Sequence, residues 1–168
     1  DDYTTLIPNG HKRDDARPDV IPESLRTAIK CFIVTCAVRR LRGQTTNHNS
    51  MLVHVSRFTN WQGAIKVLVE NNFDFYRRGI EMKIPSVLDE LRKVFEEDHE
   101  YSYEYQNEII TETYKSFKTV SQTIIDTNSD VDSQVQVHQW ADVLTHLHEA
   151  ATRIQVKEIN GGSGDALN

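Results

Sequence analysis

A long helical pattern opens near Pro22, where apolar residues begin to recur at intervals of three and four. Proline suits the first turn of a helix, and the pattern ends near Gly43, so one long helix is predicted between them. The opposite side of the segment is also largely apolar, which predicts a helix buried within a larger assembly. The main stripe consists of Leu25, Ala28, Ile29, Phe32, Ile33 and Cys36.

Two short segments have the pattern of strands instead. Residues 51–55 (MLVHV) form an apolar run between polar residues, which predicts a strand covered on both faces. Residues 154–159 (IQVKEI) predict a second strand. Between the two segments, helical spacing predicts four further helices. The first begins at Thr59, the second begins at Pro85, the third covers 105–125 and the fourth covers 138–151.

Strands that are separated by helices favour parallel pairing, because antiparallel neighbours need only a short turn between them. We therefore expect a helix-rich α/β fold with a small parallel sheet and an all-helical insertion at about 85–151. The acidic residues between 96 and 112 are expected to form a solvated helical face. Residues 1–21 show no sustained period, so a lead-in arm is predicted before a folded unit of residues 22–168.

Composition narrows the class of protein. The 168 residues are 38% apolar and 26% charged, which is typical of a soluble globular domain. The net charge of −6 disfavours nucleic-acid binding through bulk charge, so any such contact must be local. The longest apolar run, 28–38, is shorter than the roughly 20 residues that cross a bilayer. We expect a cytoplasmic protein without a membrane partner, in which Cys31 and Cys36 are reduced core thiols.

The candidate chemistry lies at the end of the first predicted strand. Ser56 and Arg57 follow it directly and would stand at the carboxyl end of a parallel sheet, where ligands of open α/β folds bind. Ser56 could equally cap the turn, and Arg57 could form a local ion pair. Three further arginines, Arg39, Arg40 and Arg42, end the first helix and either complement its dipole or add to a phosphate-binding patch.

Two alternative sites are weaker. His138, Asp142 and His146 share one face of a predicted helix at metal-ligand spacing, but that face lies opposite the apolar one, and we expect it to be solvated. Asp74 with the Glu81–Lys83 triplet is the nearest approach to a nuclease site, at poor spacing. The segment Asn47–Asn49 (NHN) resembles a nuclease motif by its letters only. No catalytic or metal-binding residue is therefore predicted.

Three stretches carry a resemblance to a known family: AVRRLRG at 37–43 (in particular Ala37 and Arg39 to Gly43), HNSMLVHVSRFTNWQ at 48–62, and VKEINGGSGD at 156–165. They resemble the Z-one domain of predicted endonucleases, which are bacterial superfamily-two helicase-like proteins. The resemblance implies a partial RecA-like second lobe, in which the strand-Ser-Arg-helix unit opens the lobe. It also implies a DNA-acting parent that uses ATP and Mg²⁺ within a restriction or defence system, alongside a possible GHKL-type ATPase partner.

The phosphate-binding pattern GxxxxGK[ST] does not occur in this sequence, and the resemblance assigns it to the first lobe of the parent. No cofactor is therefore expected in this chain, and by itself it should not hydrolyse ATP. Two functions remain open. The first is a noncatalytic part of an ATP-dependent, DNA-acting endonuclease or helicase. The second is a protein–protein interaction module that docks the partner ATPase through its helical insertion.

Overall fold

The computed structural model of the protein describes residues 4, 6–105, 108–127 and 137–159. Within these residues the chain forms helices around one apolar core, together with a single β-hairpin. The elements in chain order are α1 Glu23–Leu41, α2 Thr59–Glu81, α3 Pro85–Glu96, β1 His99–Tyr105, β2 Glu108–Tyr114, α4 Phe117–Thr127 and α5 Trp140–Arg153.

Helix α1 is the centre of the core. It packs mainly against α5 and α3 and touches α2, so apolar residues on more than one of its sides are buried. Pro22 occupies its N-cap position, and Gly43, with a φ of 75°, follows its end in the left-handed conformation that glycine adopts without strain. The prediction of a buried helix between these two residues is confirmed.

Helices α2 and α3 pack against each other, and a short turn joins them. Lys83 in this turn has a φ of 53°, and Pro85 fits the first turn of α3. Gly79 is buried where α2 meets α3, because a larger residue there would collide with Val87. The two predicted helices are confirmed, although Thr59 begins α2 without capping it through its side chain.

The predicted helix over 105–125 is wrong in its first half. Residues 99–114 form an antiparallel hairpin, in which His99 pairs with Tyr114 and the Ser102 and Thr111 hydroxyls lie 2.8 Å apart. The sequence HEYSYEY of β1 places tyrosine at every second position, which is the period of a strand. The acidic residues that were expected on a helix therefore lie largely on strands, and only α4 fulfils the prediction.

The α/β fold with a parallel sheet is also wrong. Residues 51–55 and 154–159 show the alternating burial of extended segments, but neither segment belongs to a sheet within the described residues, and the one sheet present there is the antiparallel hairpin. Leu52 and His54 are exposed whereas Met51, Val53 and Val55 are partly buried. The helices thus cover only one face of the first segment, whereas a central strand of a RecA-like lobe is covered on both.

The region at 85–151 is not an appendage to the core. Leu91 of α3 and Leu147 of α5 are fully buried, and both belong to the central cluster. The predicted last helix is confirmed as α5, although it begins two residues after His138. In the predicted arm, Ile7 and Ile21 are buried in the same core. Among the described helices, none has the length and apolar character needed to span a bilayer.

Candidate functional site

A groove of about 980 Å³ runs between the two extended segments. Residues 44–56 form one wall and residues 153–159 form the other, and in both walls consecutive residues face the groove. The floor is apolar and comes from α1 and α2. Its side chains are Phe32, Cys36, Ile65, Val69 and Phe73. Ser56 stands at one end of the first wall of the groove.

Ser56 is held by two hydrogen bonds and is only 5% exposed. Its hydroxyl lies 2.8 Å from Nε2 of His11, and it accepts the backbone N–H of Phe58 at 3.1 Å. Nδ1 of His11 lies 3.1 Å from the carbonyl oxygen of Pro8, which can only accept. This contact places a ring proton on Nδ1, and in that tautomer Nε2 accepts a hydrogen bond from the Ser56 hydroxyl.

This contact joins the arm to the start of α2. The Trp61 indole N–H donates to the carbonyl of Lys12 at 3.1 Å, and the Asn60 side chain donates to the carbonyl of Arg13 at 2.7 Å. The ring of His11 also packs against Trp61, with centroids 4.4 Å apart. We call these contacts of His11, Lys12 and Arg13 the arm latch. Ser56 has a structural role in it, because its polar capacity is used within the chain.

Arg57 is the exposed member of the predicted pair. Its guanidinium carbon lies 4.9 Å from the centroid of the Phe58 ring, a cation–π contact that leaves its N–H donors available to solvent. Within the described residues Arg57 forms no ion pair. The side chain is therefore positioned at the N-terminal end of α2 and remains free to meet an anion.

The three arginines at the end of α1 have separate roles. Arg40 forms an ion pair with Glu149 of α5 at 2.9 Å, and the Arg42 Nε–H donates to Nε2 of His138 at 3.1 Å. Nε of Arg39 is buried without a hydrogen-bond partner among the described residues. Arg40 and Arg42 thus attach α1 to the region of α5. Of the five candidate residues, only Arg40 and Ser56 line the groove.

The described residues offer no ready metal site. No group of three or more His, Cys, Asp and Glu side chains comes together in them. His138 precedes α5, so it does not share a helical face with Asp142 and His146 as the spacing had predicted. Burial lowers the pKa of His138, and the nearby positive charge of Arg42 lowers it further, which leaves Nε2 free to accept the arginine N–H.

Burial raises the pKa of the Cys31 and Cys36 thiols above the ordinary value, so both favour the unreactive protonated form. Neither cysteine forms a disulfide. Cys36 accepts a hydrogen bond from the Asn49 side-chain amide at 3.6 Å, which ties the first wall of the groove to α1. Cys36 is thus a structural group in the floor of the groove, whereas Cys31 does not line it.

Sequence reasoning missed His11, the residue that fixes Ser56. The two residues are 45 positions apart, and His11 lies in a segment without a regular pattern, so no spacing signal connects them. It also missed the groove, because apolar runs predict strands but do not show whether those strands have neighbours. The alternation at 51–55 (half-buried, exposed, half-buried) is visible only after the helices are in place.

Comparison with protein families gives one match. The model of the Z1 domain matches residues 24–168, which is most of the chain and includes both walls of the groove. The chain belongs to the Z1 domain family. Comparison with curated proteins and with solved structures found no match. Within this Z1 domain the matched residues contain Ser56, Arg57 and the α1 arginines, whereas the arm residues of the latch precede the match.

Proposed function

We propose that this Z1 domain is a noncatalytic part of an ATP-dependent, DNA-acting endonuclease or helicase-like protein of a restriction or defence system. One observation carries the noncatalytic assignment: the polar groups of the candidate residues are largely bonded within the chain. Arg40 bonds Glu149, Arg42 bonds His138, and Ser56 bonds the arm latch. Arg57 is exposed, and none of its N–H donors has a partner among the described residues, so it is the proposed contact to a DNA phosphate.

The cofactors belong to the parent in this proposal. ATP and Mg²⁺ would bind at a phosphate-binding loop of the GxxxxGK[ST] type, a pattern that this sequence does not contain. The Z1 domain would transmit DNA contact to that site through α2, whose N-terminal end carries Arg57 and whose apolar face enters the core through Trp61 and Ile65.

The test uses the parent protein with Arg57→Ala. We expect the DNA concentration that gives half-maximal ATPase stimulation to rise at least about tenfold, because a charge-assisted hydrogen bond contributes roughly 1.5–3 kcal/mol. Arg78→Ala is the matched control, since Arg78 is an exposed arginine of the same helix without an ion pair in the described residues. A parent without DNA-stimulated ATPase activity, or equal behaviour of the two variants, would contradict the proposal.

A second function is favoured by a separate observation: α4 buries none of its residues. Large apolar side chains are exposed along the hairpin and α4, with Ile109 at 81%, Tyr114 at 51%, Val120 at 44% and Ile124 at 38%. We call these four residues the hairpin–α4 surface. Exposed apolar residues on consecutive elements of the chain favour a protein-binding surface. We propose that the partner is the ATPase of the same system, of GHKL type.

This surface can be tested without disturbing the core. Deletion of 85–151 would remove Leu91 and Leu147 and unfold the domain, so point variants are needed. Ile109→Ser with Val120→Ser should abolish recovery of the partner ATPase in a pull-down, because both side chains are exposed. Phe75→Ser, at an equally exposed apolar residue of α2, is the control. Undiminished recovery with the double variant would exclude this surface.

A further inference from the structure

The two walls of the groove share an unusual property: much of their backbone has no hydrogen-bonded neighbour among the described residues. Residues 51–55 and 155–157 form no backbone-to-backbone hydrogen bond with any residue that the structure describes. The burial of both segments nevertheless alternates with the period of a strand, since 51, 53 and 55 are half-buried and 52 and 54 exposed, while 154 and 156 are half-buried and 155 and 157 exposed. Each wall therefore has the pattern of an edge strand that has no neighbouring strand among the described residues.

This arrangement specifies the chemistry of an occupant. An extended edge presents N–H and C=O groups at the regular repeat of a strand, and another extended polypeptide chain matches that repeat. The apolar floor, with Phe32, Ile65 and Phe73, would receive every second side chain of such a strand. A compact small molecule could fill part of the volume, but it could not satisfy two parallel rows of backbone groups.

Charge indicates the other half of the occupant's side chains. Four basic residues line the groove against one acidic residue, Glu158, in a chain whose net charge is −6. Three of the basic residues have acidic neighbours: Arg40 and Arg153 bond Glu149, and Lys66 bonds Glu70. Lys157 has no ion pair among the described residues. The charge of Lys157 is offset by the adjacent Glu158, so polar side chains of either sign suit the exposed positions of an occupant.

We propose that the groove between 51–55 and 154–159 binds an extended strand of a partner polypeptide by β-addition, with apolar side chains at alternate positions and polar side chains between them. The strand pairs with the backbone of at least one wall and places its apolar side chains on the floor from α1 and α2. This function goes beyond the proposed DNA contact of Arg57, and it does not depend on that contact.

The experiment measures binding of synthetic peptides to the full chain by fluorescence anisotropy. The probe is a capped, labelled seven-residue peptide that alternates valine with glutamate or threonine. The first control is the same peptide with alternate backbone nitrogens methylated, which removes donors and blocks pairing. The second is a scrambled peptide in which the valines are contiguous. We expect each control to bind at least about tenfold more weakly than the probe, because strand pairing depends on the lost donors and on the alternation.

Hydrogen exchange locates the bound peptide. Addition of the probe should slow amide exchange in 51–55 or 155–157 and leave the exposed hairpin residue Ile109 unchanged. Val156→Asp, on the groove, should weaken binding, whereas Val67→Asp, at an exposed position of α2 that does not line the groove, should not. Circular dichroism shows whether Val156→Asp still folds, and the exchange experiment on the unmodified chain stands if it does not.

Three results would overturn the proposal: no binding of the probe at millimolar concentration, equal binding of the methylated peptide, or binding without protection of either wall. None of these results bears on Arg57, whose role is measured by DNA-stimulated ATPase activity. Failure of this inference and failure of the proposed DNA contact are therefore distinguishable.

Discussion

Substitution of Ser56 by alanine tests whether this residue serves the fold. The Ser56 hydroxyl donates to Nε2 of His11 and accepts the N–H of Phe58, and its residue is 5% exposed. Each neutral hydrogen bond contributes about 0.5–1.5 kcal/mol, so loss of both should cost roughly 1–3 kcal/mol. The larger values apply if the Phe58 N–H is left without a partner inside the protein.

Guanidinium denaturation followed by tryptophan fluorescence measures this loss, because Trp61 lies within the arm latch. Ser50→Ala is the control, since Ser50 is an exposed serine of the same segment. The free energy of unfolding of this variant should stay within about 0.5 kcal/mol of that of the unsubstituted chain. A double-mutant cycle of Ser56→Ala with His11→Ala should give a coupling energy of about 1 kcal/mol. Zero coupling would refute the hydrogen bond, and equal stability of the two serine variants would refute the structural role of Ser56.

Two further predictions concern packing and pH. A Cβ on Gly79 would lie 2.6 Å from Val87 Cγ1, so Gly79→Ala should lower the free energy of unfolding by about 1–2 kcal/mol, although alanine has the better helix propensity. In a double-mutant cycle, Val87→Ala should relieve this loss. If Gly79→Ala alone stabilised the protein, the predicted clash would be contradicted. The lowered pKa of His138 means that its contribution to stability is present above the ordinary value of 6.5 and is lost as the pH falls through the lowered pKa. Between pH 7.5 and 5, the melting temperature should therefore fall less for His138→Gln than for the unsubstituted chain, with His148→Gln as the exposed control. Identical pH profiles of the melting temperature for His138→Gln and the unsubstituted chain would count against the burial of His138.

Local sequence signals were reliable where one element could be recognised by itself. Pro22 and Gly43 bounded α1, and Pro85 marked the start of α3, because these residues act through their own backbone geometry. The apolar stripe of α5 predicted Val143 and Leu147 as core residues, and both are fully buried. The family could also be predicted from the sequence, because the three stretches that carry the resemblance all lie within the matched residues 24–168.

The wrong prediction of a helix in the first half of 105–125 had a different origin. In 99–114 the alternating tyrosines of β1 competed with a weaker helical stripe, and the strand period prevailed because it forms a paired hairpin. The segment NGGSGD, on which part of the resemblance rests, lies outside the described residues. The sites assigned to Ser56, Arg57 and the α1 arginines stay predictions for function, although the structure gives the partners of most of them.

The sequence by itself determined most of the helices and the family, since these depend on neighbouring residues and on short motifs, but it assigned part of the hairpin to a helix. Only the tertiary structure decided whether 51–55 and 154–159 would pair. Pairing depends on which backbone stands beside another, and residues about 100 positions apart carry no local signal for it. The same reason separates Ser56 from His11 in sequence and joins them in space. The tertiary structure therefore changed two predicted strands of a parallel sheet into the two walls of an open groove.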